Sequence, residues 1–319
     1  MQPTVSIFRR YGADLALLTT AILWGVNIPV VKSAIGEMDP LAFNGMRMVL
    51  STIVLGLLSL AESKRQPKTK RGSWSLRRGA LFIILNGVCY PFAFIFGINY
   101  TTAGNSAILL ATMPAWTAMI AFLFTSERLS RLTWIGIAIS LAGTLSVVVA
   151  GSDVSFSSTY LVGNLLMLAA SIGWSASTVV SGPLLKTISP LKLAFWSSLF
   201  ATPIQLLATL PEIPGAVQQL QSPQLVAALV YSGVMSTGIA YATWHYGVRQ
   251  LGGSHASVYQ NLVTLVAVST SWVFLKEPIL LWQIFGGVIL FVGLYLMRRS
   301  RSAVDRNAKR KQSVAVQES

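Results

Sequence analysis

The sequence predicts an all-α membrane protein of ten transmembrane helices, arranged as two inverted five-helix repeats. Three observations carry this: the scarcity of charge, the lengths of the uncharged runs, and a self-match of the chain at one offset. Of 319 residues, 53 % are hydrophobic and 11 % charged, against roughly 25 % charged in soluble domains. That is too little charge to cover a water-facing surface. The uncharged runs reach the length of about 20 residues that a helix needs to cross a bilayer.

Expected spans are 14–34, 41–61, 79–99, 104–124, 132–150, 160–180, 190–210, 223–246, 254–275 and 280–297. Helices are expected because lipid offers no partner to backbone groups, and a helix satisfies its own. Barrel strands would show short alternating segments instead. Polar or proline-bearing joints such as Met38-Asp39-Pro40 and Ser189-Pro190 separate the runs. The first run follows Arg9 and Arg10 but is too long for a signal-peptide core and lacks a clear small-residue cleavage site, so it reads as the first span.

The net charge of +14 raises nucleic acid as a partner, and its distribution argues against one. No basic stripe marks a structured soluble face. With the N-terminus inside, 21 of 24 basic residues fall on cytoplasmic segments, seven in 62–78 and seven in 298–311. Basic residues gather on the cytoplasmic side of membrane proteins, so both termini are expected on that side. The tail 299–319 reads as a basic, disordered segment able to meet anionic lipid. The single Cys89 excludes an intrachain disulfide framework.

Shifting the chain by 150 residues places Trp24 on Trp174, Pro40 on Pro190, Gly97 on Gly247 and Phe124 on Phe274. It also places Glu127 on Glu277, Gly136 on Gly286 and Gly143 on Gly293. The repeats are therefore 1–150 and 151–298. Five helices is an odd number, so the second copy enters from the opposite face. Inverted repeats are a recurring plan of secondary transporters, with the site between the halves near the midplane.

These residues resemble the EamA domain of the drug/metabolite transporter superfamily, once over 14–150 and again over 160–297. The cues are Leu23-Trp24-Gly25, Pro40 followed by Arg47, Ala107 to Pro114, and Glu127 followed by Gly136 and Gly143. The second copy departs from the pattern with Ser197 opposite Arg47 and Thr264 opposite Pro114. The resemblance implies ten-helix inner-membrane exporters of amino acids and other small metabolites, with helices 5 and 10 outside the central cavity.

Candidate substrate contacts follow from helical spacing, which puts residues three, four and seven apart on one face. Helix 9 carries a polar stripe of Ser254, Ser257, Asn261 and Thr264. Helix 3 offers Asn86 and Tyr90 one turn apart, with Pro91 able to loosen the backbone, and helix 8 offers Ser236, Tyr241, Trp244 and His245. Helices 1 and 6 carry Trp24 with Asn27 and Trp174 with Ser177. Each polar residue has an alternative role in hydrogen bonding between helices, and each tryptophan in packing. Arg47 is the one basic residue well inside a span, and a charge there is costly and a functional candidate. It either pairs with a substrate carboxylate or holds helix 2 at the outer rim. His245 is expected to be partly exposed at the cytoplasmic end of helix 8.

No Asp or Glu lies mid-span, so facilitated export or exchange is the simpler expectation than proton pumping. No Gly-x-x-x-x-Gly-Lys loop is present to cradle ATP, and no cofactor is expected. His245 and His255, ten residues apart, supply neither a nucleophile–base pair nor metal ligands. The leading reading is an exporter of amino acids or related amphipathic metabolites. The alternatives are an antiporter of nucleotide-sugars or phosphorylated sugars, which would want clustered cations, and a non-transporting membrane scaffold. Glycines 136, 143, 286, 287 and 293 support close packing within one subunit or a homodimer.

Overall fold

The computed structural model describes residues 7–65, 75–125, 129–150, 158–252, 256, 259–277, 279–297 and 299. Its helices are α1 (Ile7–Ala34), α2 (Pro40–Arg65), α3 (Leu76–Tyr100), α4 (Ala103–Phe124) and α5 (Arg131–Ala150). These are followed by α6 (Ser158–Leu184), α7 (Pro190–Gln219), α8 (Pro223–Leu251), α9 (Tyr259–Leu275) and α10 (Leu281–Met297). Among the described residues, seven helices are long and apolar enough to cross a membrane, and α9 and α10 are shorter apolar helices.

The helix starts are written locally. Asp39 accepts hydrogen bonds from the amides of Leu41 (2.8 Å) and Ala42 (3.0 Å), and Ser189, its counterpart 150 residues on, accepts from Lys192. A proline follows each cap, where its missing N–H costs nothing and its fixed φ suits a first helical residue. Thr102 and Ser222 cap α4 and α8 in the same way.

Beside an apolar core, many polar residues are buried and many large apolar ones are exposed. Asn44, Asn105, Asn164 and Ser232 are wholly buried, whereas Leu281 and Phe124 are about four-fifths exposed. A broad exposed apolar surface of this kind is suited to lipid.

Contacts between helix ends fix their relative directions. The Lys32 ammonium, at the end of α1, donates to the carbonyls of Ile98, Asn99 and Thr101 at the end of α3. Glu277, between α9 and α10, accepts from the amides of Ala103 and Gly104 and so caps the start of α4. Gly163, near the start of α6, lies against Tyr100 and Thr101. All of these meet at one end of the bundle, the Lys32 end. At the other, Tyr259 donates to Asp14 (2.8 Å) and Ser189 to Glu62 (2.5 Å). Thus α1 finishes where α6 begins.

Several close contacts recur under the 150-residue shift. Gly97 of α3 packs on Met167 of α6, and Gly247 of α8 packs on Leu17 of α1. Gly136 faces the Gly293 carbonyl while Gly143 faces the Gly286 carbonyl, which welds α5 to α10. Thr52 and Thr202, 150 residues apart, meet hydroxyl to hydroxyl at 2.7 Å where α2 crosses α7. Four of the five glycines that left a homodimer open are therefore consumed inside the subunit; Gly287 alone among them meets nothing within 4 Å.

Two helices lose regular α geometry at matching places: α3 is π-helical over Ile83–Cys89, and α8 over Tyr231–Ile239. Helix α4 breaks between Leu110 and Met113, just before Pro114, which has no N–H to continue the ladder. Side chains take carbonyls near this break: Ser175 donates to Met113 (2.9 Å) and Thr264 to Ala107 (3.2 Å).

Candidate substrate cavity

These irregular segments surround a cavity of ≈ 550 Å³, counting the space that opens to solvent. Helix α1 contributes Trp24, Asn27 and Ile28; α2 contributes Arg47; α3 contributes Tyr90 and Phe94. The break in α4 brings in Leu110 and Met113, and α6 supplies Trp174. From the second half come Ser236, Thr237 and Tyr241 of α8, and Gln260, Val263 and Thr264 of α9.

One wall is aromatic. The Trp24 and Trp174 rings meet edge to face at 5.1 Å, and Tyr241 packs on both, at 5.9 and 5.5 Å. Tyr90 tilts against Trp174 at 4.9 Å. Behind them Trp244 touches Trp24 and Trp174 without lining the cavity. The Trp24 indole donates to the Ser236 carbonyl (2.9 Å), within the π-helical stretch of α8. The wide turn thus positions the ring.

The same cavity is lined by a buried cation. The Arg47 guanidinium donates to Asn44 Oδ1 from Nε (3.0 Å) and Nη2 (2.8 Å) and to Ser232 Oγ from Nη1 (3.3 Å). Asn44 is itself held by Gln205 (2.7 Å), which donates to the Gly87 carbonyl. The guanidinium carbon lies 5.5 Å from the Phe94 ring centre. These three bonds use three of the five N–H groups a guanidinium carries, and no carboxylate among the described residues pairs with it. Sequence reasoning left two roles open for Arg47; the geometry gives it neutral anchors and a face on the cavity.

Three further lining groups have a buried polar atom without a partner: Asn27 Oδ1, the Trp174 indole Nε1 and Gln260 Nε2. Buried polar groups are nearly always satisfied in native proteins. An unsatisfied set converging on one cavity therefore marks where a solute or water binds.

Of the residues singled out from the sequence, Trp24, Asn27, Arg47, Tyr90, Trp174, Ser236, Tyr241 and Thr264 come together around the cavity. Asn86 sits outside it, donating to Ser197 (3.1 Å). Ser177 turns back on the Trp174 carbonyl (2.8 Å), and Asn261 is off the lining. Ser254 and Ser257 fall outside the described residues. His245, expected to be partly exposed, is 2 % exposed, because Phe82 of α3 closes over it at 5.7 Å. Gln260 was missed: it shares a face with Thr264 one turn on, and only the rotation of α9 selects it over Asn261. Phe94 was indistinguishable from packing in an aromatic-rich helix.

The EamA-like transporter family matches residues 12–149 and again 161–299. The chain belongs to the EamA-like transporter family. It is therefore a multi-pass membrane transporter and not an enzyme. Relatives include an uncharacterized transporter, YoaV, of Bacillus subtilis, 23 % identical over 88 % of this chain and 95 % of that protein. An uncharacterized transporter of Archaeoglobus fulgidus is 27 % identical over 88 % and 96 %. A probable terminal-alkyne amino-acid exporter of Streptantibioticus cattleyicolor is 22 % identical over 89 % and 92 %. One crystal structure shares the fold with a TM-score of 0.62 at 18 % identity, covering 90 % of this chain and 98 % of that one.

Proposed function

We propose that this EamA-family chain exports small zwitterionic or amphipathic metabolites, amino acids foremost, across the cytoplasmic membrane by alternating access of two inverted five-helix repeats. The observation that carries the substrate class is the buried Arg47, which has no carboxylate partner among the described residues, lining the same cavity as an aromatic wall. A substrate carboxylate satisfies its two remaining N–H groups, and charge-assisted pairs of this kind are the strong ones. Asn27 Oδ1 and the faces of Trp24, Trp174 and Tyr241 suit an ammonium and the apolar body attached to it. The Streptantibioticus cattleyicolor relative, named as a probable terminal-alkyne amino-acid exporter, lends distant support.

The ten-pass, inverted arrangement is supported by α1 finishing where α6 begins and by the contacts that recur 150 residues apart. The distribution of basic residues favours both termini, and hence the Asp14 end, on the cytoplasmic side. Nucleotide-sugar or sugar-phosphate exchange fits less well, since the lining offers one cation, Arg47, where phosphate recognition favours several.

The test is counterflow in liposomes of purified protein, screened across amino acids, nucleosides, cationic drugs and sugar phosphates. Uptake of amino acids that falls severalfold in Trp24→Ala and Trp174→Ala supports the reading. Silence across the amino acids with uptake of sugar phosphates overturns it.

A further inference from the structure

The cavity is built unevenly from the two repeats. Three pairs of lining residues are each other's counterparts at the 150-residue shift: Trp24 with Trp174, Leu110 with Gln260, and Met113 with Val263. The other nine have counterparts that do not line it. Asn27, Arg47, Phe94 and Ser236 correspond to Ser177, Ser197, Trp244 and Asn86, and each of these four is at most 3 % exposed. They lie across the aromatic layer: Arg47 follows the start of α2 at the Lys32 end, while Ser197 follows the start of α7, whose cap Ser189 meets Glu62 at the opposite end.

A second observation marks the same region. Asn86 Oδ1 is buried without a partner, although its amide nitrogen reaches Ser197 Oγ at 3.1 Å. One turn earlier on α3, Phe82 packs on His245, whose two ring nitrogens are also buried and unpartnered. Orphaned polar atoms thus lie beside these buried residues, outside the lining of the cavity described above. Asn86 lies in the π-helical stretch of α3, as Ser236 lies in that of α8, and such stretches are frequent at functional sites.

We infer that Asn86, Ser177, Ser197 and Trp244 line a second cavity, which opens toward the Asp14 end when the present one closes. This rests on the inverted-repeat reading above and assigns residues to the state not seen. The solute class is the same zwitterion or amphipathic metabolite. In that second cavity Ser197 stands where the first has Arg47, so the carboxylate meets hydroxyl and amide groups and no cation. Opening would also wet Asn86 Oδ1, supplying the partner it lacks.

The experiment is thiol labelling in membrane vesicles of known orientation, in a Cys89→Ser background, with a charged, impermeant methanethiosulfonate added from one face. Single cysteines replace Asn86, Ser197 and, as an independent second probe, Ser177; Asn27→Cys and Thr237→Cys report the present cavity. The expected result is that Asn86→Cys, Ser197→Cys and Ser177→Cys react about tenfold faster from the Asp14-end face, and Asn27→Cys and Thr237→Cys faster from the other. Labelling of the first set from neither face, from both equally, or faster from the Lys32-end face, in variants that still transport, overturns the inference while leaving the substrate reading intact. Opposite-face labelling in a protein that moves no amino acid sustains the second cavity and removes the substrate reading.

Discussion

Arg47 shows how one side chain can be both anchored and available. Asn44 takes two of its N–H groups and Ser232 a third, which fixes the guanidinium plane and leaves the rest of the fork toward the cavity. A neutral substitution, Arg47→Gln, should raise the half-saturation for an amino acid at least tenfold, since a hydrogen bond to a charged group is worth about 1.5–3 kcal/mol. Arg47→Lys should recover little, because a lysine cannot make the planar fork that Asn44 and a carboxylate share. Counterflow kinetics of both variants check this. Trp174→Phe separates the two uses of that residue: the wall survives while the unpartnered indole N–H is lost. We expect a rise of a few-fold in half-saturation for polar amino acids and little change for apolar ones. The arginine was legible in the sequence because a charge within a span stands out. Gln260 was not, because one polar residue among several on α9 is selected only by how the helix is rotated.

At the scale of elements, the glycines act through close backbone approach. A Cβ on Gly143 would lie 2.5 Å from the Leu290 amide nitrogen, and one on Gly293 would lie 2.4 Å from that of Ser140. Backbone cannot yield as a side-chain tip can. Gly143→Val or Gly293→Val should therefore separate α5 from α10 and lower the Tm in detergent by several degrees, while Gly287→Ala, with nothing within 4 Å, should not lower it, since alanine in a helix interior loses less backbone entropy than glycine. Differential scanning of the purified variants measures the contrast. Glu277 binds the first two amides of α4, so Glu277→Ala should cost about 1 kcal/mol, the usual worth of an N-cap. The π-helical stretches of α3 and α8 were not foreseen: Pro91 hinted at a loosened backbone in helix 3, but no proline accompanies the matching stretch in α8.

At the scale of the molecule, the two cavities of the proposed cycle are chemically unequal, one with Arg47 and one with Ser197. Half-saturation measured from the Lys32-end face should accordingly be about tenfold lower than from the Asp14-end face, the size of one charge-assisted hydrogen bond. Transport assays on vesicles of both orientations decide it, and protease access to tags on the two termini establishes which orientation each preparation holds. The sequence by itself determined an all-helical membrane protein, because composition and run length answer to the bilayer rather than to any particular contact. It also supplied the family resemblance and the 150-residue register, since Trp, Pro and Glu matches are readable without coordinates. Only the tertiary structure decided which polar residues face the cavity and which are spent between helices. Asn27 and Asn86 look alike in sequence, yet one opens on the cavity and the other bonds Ser197. That choice depends on helix rotation, which is not written in local periodicity.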